Sequence, residues 1–140
     1  MNTRTPFFVV IVMILVAASS ARAESPSDLV ERYMAAYNDH DVAAMLELAH
    51  PDIQWLSIDG DEVQVVTEGR DALGEAMRGY FESAPSSRSV IEATMTSGSR
   101  VSVRERAEWE TASGTRSQAA LAVYEIVDGL IRRVWYFPSD

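Results

Sequence analysis

Residues 30–55 read VERYMAAYNDHDVAAMLELAHPDIQW, and the change of period inside this stretch decides the fold. Val30, Tyr33, Met34 and Tyr37 recur at helical spacing, and Leu29 extends the same apolar face backwards. Just upstream, Ser25-Pro26-Ser27-Asp28 supplies an N-cap serine, a proline at the first helical position and an acid in the first turn. A helix is therefore expected from there to about His40. Asp41 can cap a second, short helix on which Val42, Met45, Leu46 and Ala49 share a face. His50-Pro51 is expected to end it, because the residue before a proline is pushed out of the helical region. At Ile53 the period drops to two: Ile53, Trp55 and Ser57 face one way, Gln54, Leu56 and Ile58 the other. Two helices thus feed a strand.

Beyond it, Asp59-Gly60-Asp61 is a turn into the short run Val63 to Thr67. After Gly69 a third helix carries Leu73, Ala76, Met77, Tyr80 and Phe81 on one face, and Ala84-Pro85-Ser86-Ser87 stops it. The remainder reads as strands over 89–96, 100–110, 118–127 and 130–137, separated by glycine-bearing turns. Helices first and an antiparallel meander afterwards is the order of an α+β domain with its helices on one face of the sheet.

In front of this domain stands a different kind of segment. Arg4 gives a positive start, FFVVIVMILVAA (residues 7–18) is apolar, and Ala21-Arg22-Ala23 is a small-residue cleavage site. Residues 1–23 are expected to be a secretory signal peptide, with an uncleaved anchor as the alternative, and residues 24–140 one domain that is secreted or periplasmic. Removing Arg4 and Arg22 from the 12 basic residues leaves 10 against 21 acidic ones, a formal charge of −11. Such an excess speaks against nucleic acid or an anionic membrane surface as a partner. With no cysteine, disulfides, thiol chemistry and a lipoprotein anchor are excluded.

Three strings, residues 30–55, EGRDALGEAMRGYF (68–81) and YEIVDGLIRRVWYF (124–137), resemble the nuclear transport factor 2-like superfamily, and within it the SnoaL-like and ketosteroid isomerase-like group. The resemblance covers nearly all of the chain after the leader. It implies a cone: a strongly curved sheet wrapped round three helices, enclosing a pocket for a small, rather apolar molecule, often in a homodimer. Isomerisation, cyclisation, dehydration and epoxide hydrolysis all occur on this fold, beside members that only bind or assemble, so the fold does not select a reaction. Tyr33 sits where the isomerases keep a tyrosine that donates to the developing oxyanion; a core phenol is the structural alternative. Counted without gaps from Tyr33, the isomerase base falls on Ser57. Aligned through Tyr124, the second oxyanion donor falls on Ala122. Steroid isomerisation by that mechanism is therefore disfavoured. His40 and His50 do not fit a dehydratase-like site, and VRERAEW lacks the acids of the epoxide hydrolase set.

Two acids remain. Asp59 lies two residues along from Ser57, on the same strand face, although its neighbours suggest an exposed turn. Glu105 is the less ordinary one, because it falls in phase with Val101, Val103, Ala107 and Trp109 while Arg104, Arg106 and Glu108 take the other face. A carboxylate on an apolar face is costly unless paired, and a functional acid, an ion pair, a wet pocket or an outward bulge would each account for it. Pocket lining is expected from Tyr37, Trp55, Ser57, Met77, Phe81, Trp109, Tyr124 and Trp135. No zinc, calcium-loop or phosphate-loop motif is present, so neither metal nor cofactor is expected.

Overall fold

The structure, a computed structural model, describes residues 23–139. Apart from Ala23, the expected leader lies outside the described residues. Helix α1 (Pro26–Asn38) starts as anticipated: the Ser25 hydroxyl accepts from the Asp28 amide, and the Asp28 carboxylate accepts from the Ser25 amide in return, at 3.2 and 3.1 Å. Helix α2 (Val42–Glu47) is capped by Asp41. Strands β1 (Ala49–Asp59) and β2 (Glu62–Glu68) follow, then helix α3 (Arg70–Ser83) and strands β3 (Arg88–Ser97), β4 (Arg100–Thr111), β5 (Gly114–Val127) and β6 (Leu130–Ser139). Among the described residues no helix is long and apolar enough to cross a membrane.

Three details depart from the expected outline. His50-Pro51 does not end α2, which stops at Glu47; both residues already belong to β1. Proline is tolerated there because its position falls within the irregular register between Ala49 and Gln54, where no ladder amide is required of it. The sheet is mixed rather than wholly antiparallel: its order is β2-β1-β6-β5-β4-β3, and β1 runs parallel to β6 with Trp55 opposite Val134. It curls without closing. Finally, β5 begins at Gly114 rather than Gln118, because the two-residue turn Ala112-Ser113 lets the hairpin ladder continue through polar Thr115 to Ser117.

The inner face of the sheet packs on the helices. Val30, Tyr33, Met45, Ile53, Leu73, Val101, Ile131 and Val134 are all at most 2 % exposed and form the centre of the core. On α3 the buried stripe is Leu73, Gly74 and Phe81 with half-buried Met77, whereas Ala76 and Tyr80 are exposed. Gly74 is where α2 comes close: a Cβ there would lie 2.9 Å from the Leu46 side chain.

On the outer face, cross-strand neighbours form rows. Glu68, Gln54, Arg133, Glu125 and Arg100 lie side by side on five strands and are linked by hydrogen bonds or ion pairs of 3.0–3.6 Å. The next row is apolar, Val65, Leu56, Trp135 and Val123, continued through Ser102 to Met95. Val63, Val65, Val90, Met95 and Leu121 are 46–67 % exposed.

Gly69 joins β2 to α3 at φ 88°, ψ 157°, with its amide donating to the Ile53 carbonyl at 2.7 Å. That backbone region is open to glycine almost alone. Gly79, by contrast, lies inside α3 with open space where a methyl group would stand. Gly69→Ala is expected to destabilise by about 1–3 kcal/mol and Gly79→Ala to stabilise by about 0.5–1 kcal/mol, both measurable by urea unfolding.

Candidate functional site

β4 carries its inward residues from core to open space: Val101 and Val103 are packed, and Glu105, Ala107 and Trp109 then line a cavity of about 470 Å³. Small side chains make the room. Ala120 stands directly opposite Glu105 on β5, and Ala122 opposite Val103. From α1 come Tyr33, Met34 and Tyr37, from α2 Met45, and from α3 Met77 and Tyr80. β1 supplies Trp55, β3 Ser89, β5 Gln118 and Tyr124, and β6 Tyr136.

Tyr124 is the aromatic hub, with Tyr33 edge-on at 6.3 Å between ring centroids and Trp55 edge-on at 6.5 Å. The Tyr37 hydroxyl donates to that of Tyr80 at 3.1 Å, a contact that joins α1 to α3 beside the cavity. Glu105 is only 6 % exposed, and its Oε2 has no hydrogen-bond partner among the described residues. Burial pushes its carboxyl up to about 7, against a smaller opposing pull from the Tyr124 hydroxyl. The phenols are displaced too. Tyr33 is raised by burial and then by the Glu105 charge, Tyr124 likewise, and Tyr136 is pushed up to about 12 for the same two reasons in the same order. These groups stay protonated at any physiological pH.

Of the explanations open for Glu105, an outward bulge does not apply. The irregularity falls on β3, where Glu92 is the extra residue, and Glu92 takes the outward Arg104 and Arg106 at 2.8 and 2.6 Å. Among the described residues Glu105 has no ion pair with an arginine. Nor does any group of three histidines or carboxylates gather there that could hold a metal ion.

Tyr33, Tyr37, Trp55, Met77, Glu105, Trp109 and Tyr124 are thus brought together. Four other expected residues stand elsewhere. Asp59 is exposed at the end of β1, opposite Glu62 across the turn. Ser57 lies beside Tyr136 but outside the lining. Phe81 turns away to stack on His40, with ring centroids 4.1 Å apart. Trp135 points to the outer face, under the Arg133 guanidinium at 5.4 Å. In the run Val134-Trp135-Tyr136-Phe137 three successive aromatics hide the alternation, and the inward one is Tyr136. Gln118 could have been found from its phase with Ala120, Ala122 and Tyr124, and Ser89 from its place opposite Ala107.

The SnoaL-like domain family matches residues 30–134, from the middle of α1 into β6. The chain belongs to this family. No curated protein is similar enough in sequence to match. Among solved structures, AclR of Streptomyces galilaeus, described as a proposed hydroxylase, is 19 % identical with a TM-score of 0.69, covering 81 % of this chain and 88 % of its own. A cystatin-fold protein from Novosphingobium aromaticivorans is 20 % identical at a TM-score of 0.72, covering 81 % and 97 %. TerC, crystallised with polyporic acid, is 20 % identical at 0.68, covering 82 % and 92 %. At these identities the likeness establishes the nuclear transport factor 2-like cone and not a shared reaction.

A carboxyl that holds its proton to about pH 7 when folded, against about 4.3 in an unfolded chain, makes stability depend on pH. Below about pH 4 both states are protonated and burial of Glu105 costs little. As pH rises towards 7 only the unfolded state releases the proton, and the folded state loses up to about 4 kcal/mol, with no further loss above. Glu105→Gln should remove that loss: relative to wild type, the variant should be more stable at pH 8.5 than at pH 4 by an amount of this order, read from urea unfolding at the two pH values.

Proposed function

We propose that the protein is exported, works as a homodimer, and binds a small, largely apolar molecule in the cone on which it performs acid–base chemistry of isomerase, cyclase or lyase type. One observation carries the chemical part: a buried carboxyl poised near neutrality, unpartnered at one oxygen, inside a cavity otherwise lined by aromatic and thioether side chains. Glu105 is the proton carrier. Ionised, it removes a proton from a bound carbon or oxygen acid; protonated, it returns one to a neighbouring position. Tyr33, kept neutral by burial, donates a hydrogen bond to the oxygen on which negative charge develops, while the Tyr124 hydroxyl stays with Glu105. Asp59 has no part in this. TerC with polyporic acid is a structural likeness that agrees with a small organic ligand.

Support for the homodimer comes from the outer face. Its apolar rows are bordered by the cations Arg100, Arg104, Arg106 and Arg133 and by the anions Glu68, Glu92, Glu108 and Glu125. In a chain of net charge −9 that is a near-neutral face, on which a second acidic copy can settle without repulsion, apolar centre on apolar centre inside a polar rim. A binding module without turnover would use the same face and leave the cavity chemically idle.

Native mass spectrometry of protein isolated from its own host should show a dimer of chains beginning at Glu24 with a retained small molecule, and Leu121→Lys should shift it to monomer. With a substrate so found, Glu105→Gln should lower kcat by about 10²–10⁴-fold and Tyr33→Phe by a smaller factor. Turnover unchanged in both variants would take them out of the mechanism, and the absence of any turnover in wild type would favour the module.

A further inference from the structure

Among the described residues the cavity lining contains one carboxylate, five tyrosines, two tryptophans and three methionines, and no basic side chain. Three of its oxygen atoms are buried with no hydrogen-bond partner: Tyr33 Oη, Ser89 Oγ and Glu105 Oε2. The register brings the last two near one another. Ser89 pairs with Ala107 and Ile91 with Glu105, so Ser89 and Glu105 are diagonal neighbours on the inner face, about 7–8 Å apart. Tyr33 lies within electrostatic reach of the Glu105 carboxylate.

Different ligand heads meet this triangle differently. A carbonyl oxygen could accept from the two hydroxyls but offers nothing to the carboxylate. An anionic head would face Glu105 with no cation in the lining to offset it, and desolvating like charges together is costly. A hydroxyl has one proton to give. A primary ammonium has three N–H donors for three open acceptors, carries the charge opposite to Glu105, and is attracted by the faces of surrounding aromatic rings. The acidic molecule as a whole draws a cation towards its cleft.

We propose that the cone's ligand is an amphiphilic organic cation, an apolar body bearing a primary amine, whose ammonium group sits among Glu105, Tyr33 and Ser89 while its body lies against Met34, Met45 and Met77. The methionines suit an irregular apolar body because their side chains are unbranched and polarizable. This rests on the same cavity as the acid–base reading but requires no turnover. The place of Glu105 is then twofold, as counter-ion to the bound amine and as the base adjacent to it.

The test is isothermal titration calorimetry of the full mature protein at pH 8 with three probes of matched body: 4-phenylbutylamine, 4-phenylbutan-1-ol and 4-phenylbutyrate. The amine should bind at least about tenfold more tightly than the alcohol, and the carboxylate most weakly. Glu105→Gln should bring the amine to within about twofold of the alcohol, and saturable binding of either probe by the variant reports that the cavity is still formed. Equal binding of amine and alcohol by wild type, or no saturable binding of the amine at millimolar concentration, would overturn the proposal. Amine preference without proton transfer on any amine would leave it standing and count against the acid–base reading alone.

Discussion

A sheet six strands wide, with strands of up to 14 residues, has more inner surface than its helices can cover. Helices α1 and α3, of 13 and 14 residues, are each about 20 Å long, and α2, of six, about 9 Å; β5 alone runs about 45 Å. Much of what distinguishes this molecule follows from that shortfall. Where the helices reach, the sheet is packed tightly by Val101, Val103, Ile131 and Val134. Where they stop, along the same strands, the inward positions pass to Glu105, Trp109, Gln118 and Tyr136, and a cavity remains.

The residues at that boundary suit a space that is neither core nor solvent. A tyrosine presents an apolar ring and one polar atom, so five of them can wall a cavity and still offer hydroxyls to whatever fills it. Glu105 bears the larger penalty. Its carboxylate is removed from water without a cation beside it, while Arg104 and Arg106, its chain neighbours, are paired with Glu92 outside. Nothing in the described fold needs the carboxylate for its own stability, and a glutamine would fill the same volume with less desolvation. A carboxyl buried at such a cost beside open space has the surroundings that perturbed groups of functional sites share.

Sequence patterning exposed most of this. The helices could be read from caps and apolar spacing, since Ser25, Asp41 and the Leu73 stripe are local signals that need no tertiary partner. Glu105 was also legible, because its strand alternates cleanly. What was hidden depended on contacts distant in sequence. The parallel pairing of β1 with β6 joins residues about eighty positions apart, and no local pattern encodes it. The place of His50-Pro51 in a strand follows from that pairing as well. At Trp135 and Tyr136 the failure was one of phase: in a run of aromatics, only the neighbours on β5 and β1 determine which ring faces in. Phe81 has the helical spacing of a lining residue, but a histidine from the α1–α2 link takes up its ring.

The strand order has a consequence in time. β6 is the last of the described elements to be synthesised, yet it lies in the interior of the sheet, between β1 and β5. Until it arrives, β2-β1 and β5-β4-β3 are two separate ribbons, each with a bare inner edge and no shared inner face for the helices to cover. Local helices and hairpins can form early, but the step that unites them must wait for β6 and close the long loop back to β1. A nascent chain is therefore held back from its compact state, and a shortening of only the last ten described residues would be felt across the whole sheet rather than at its rim.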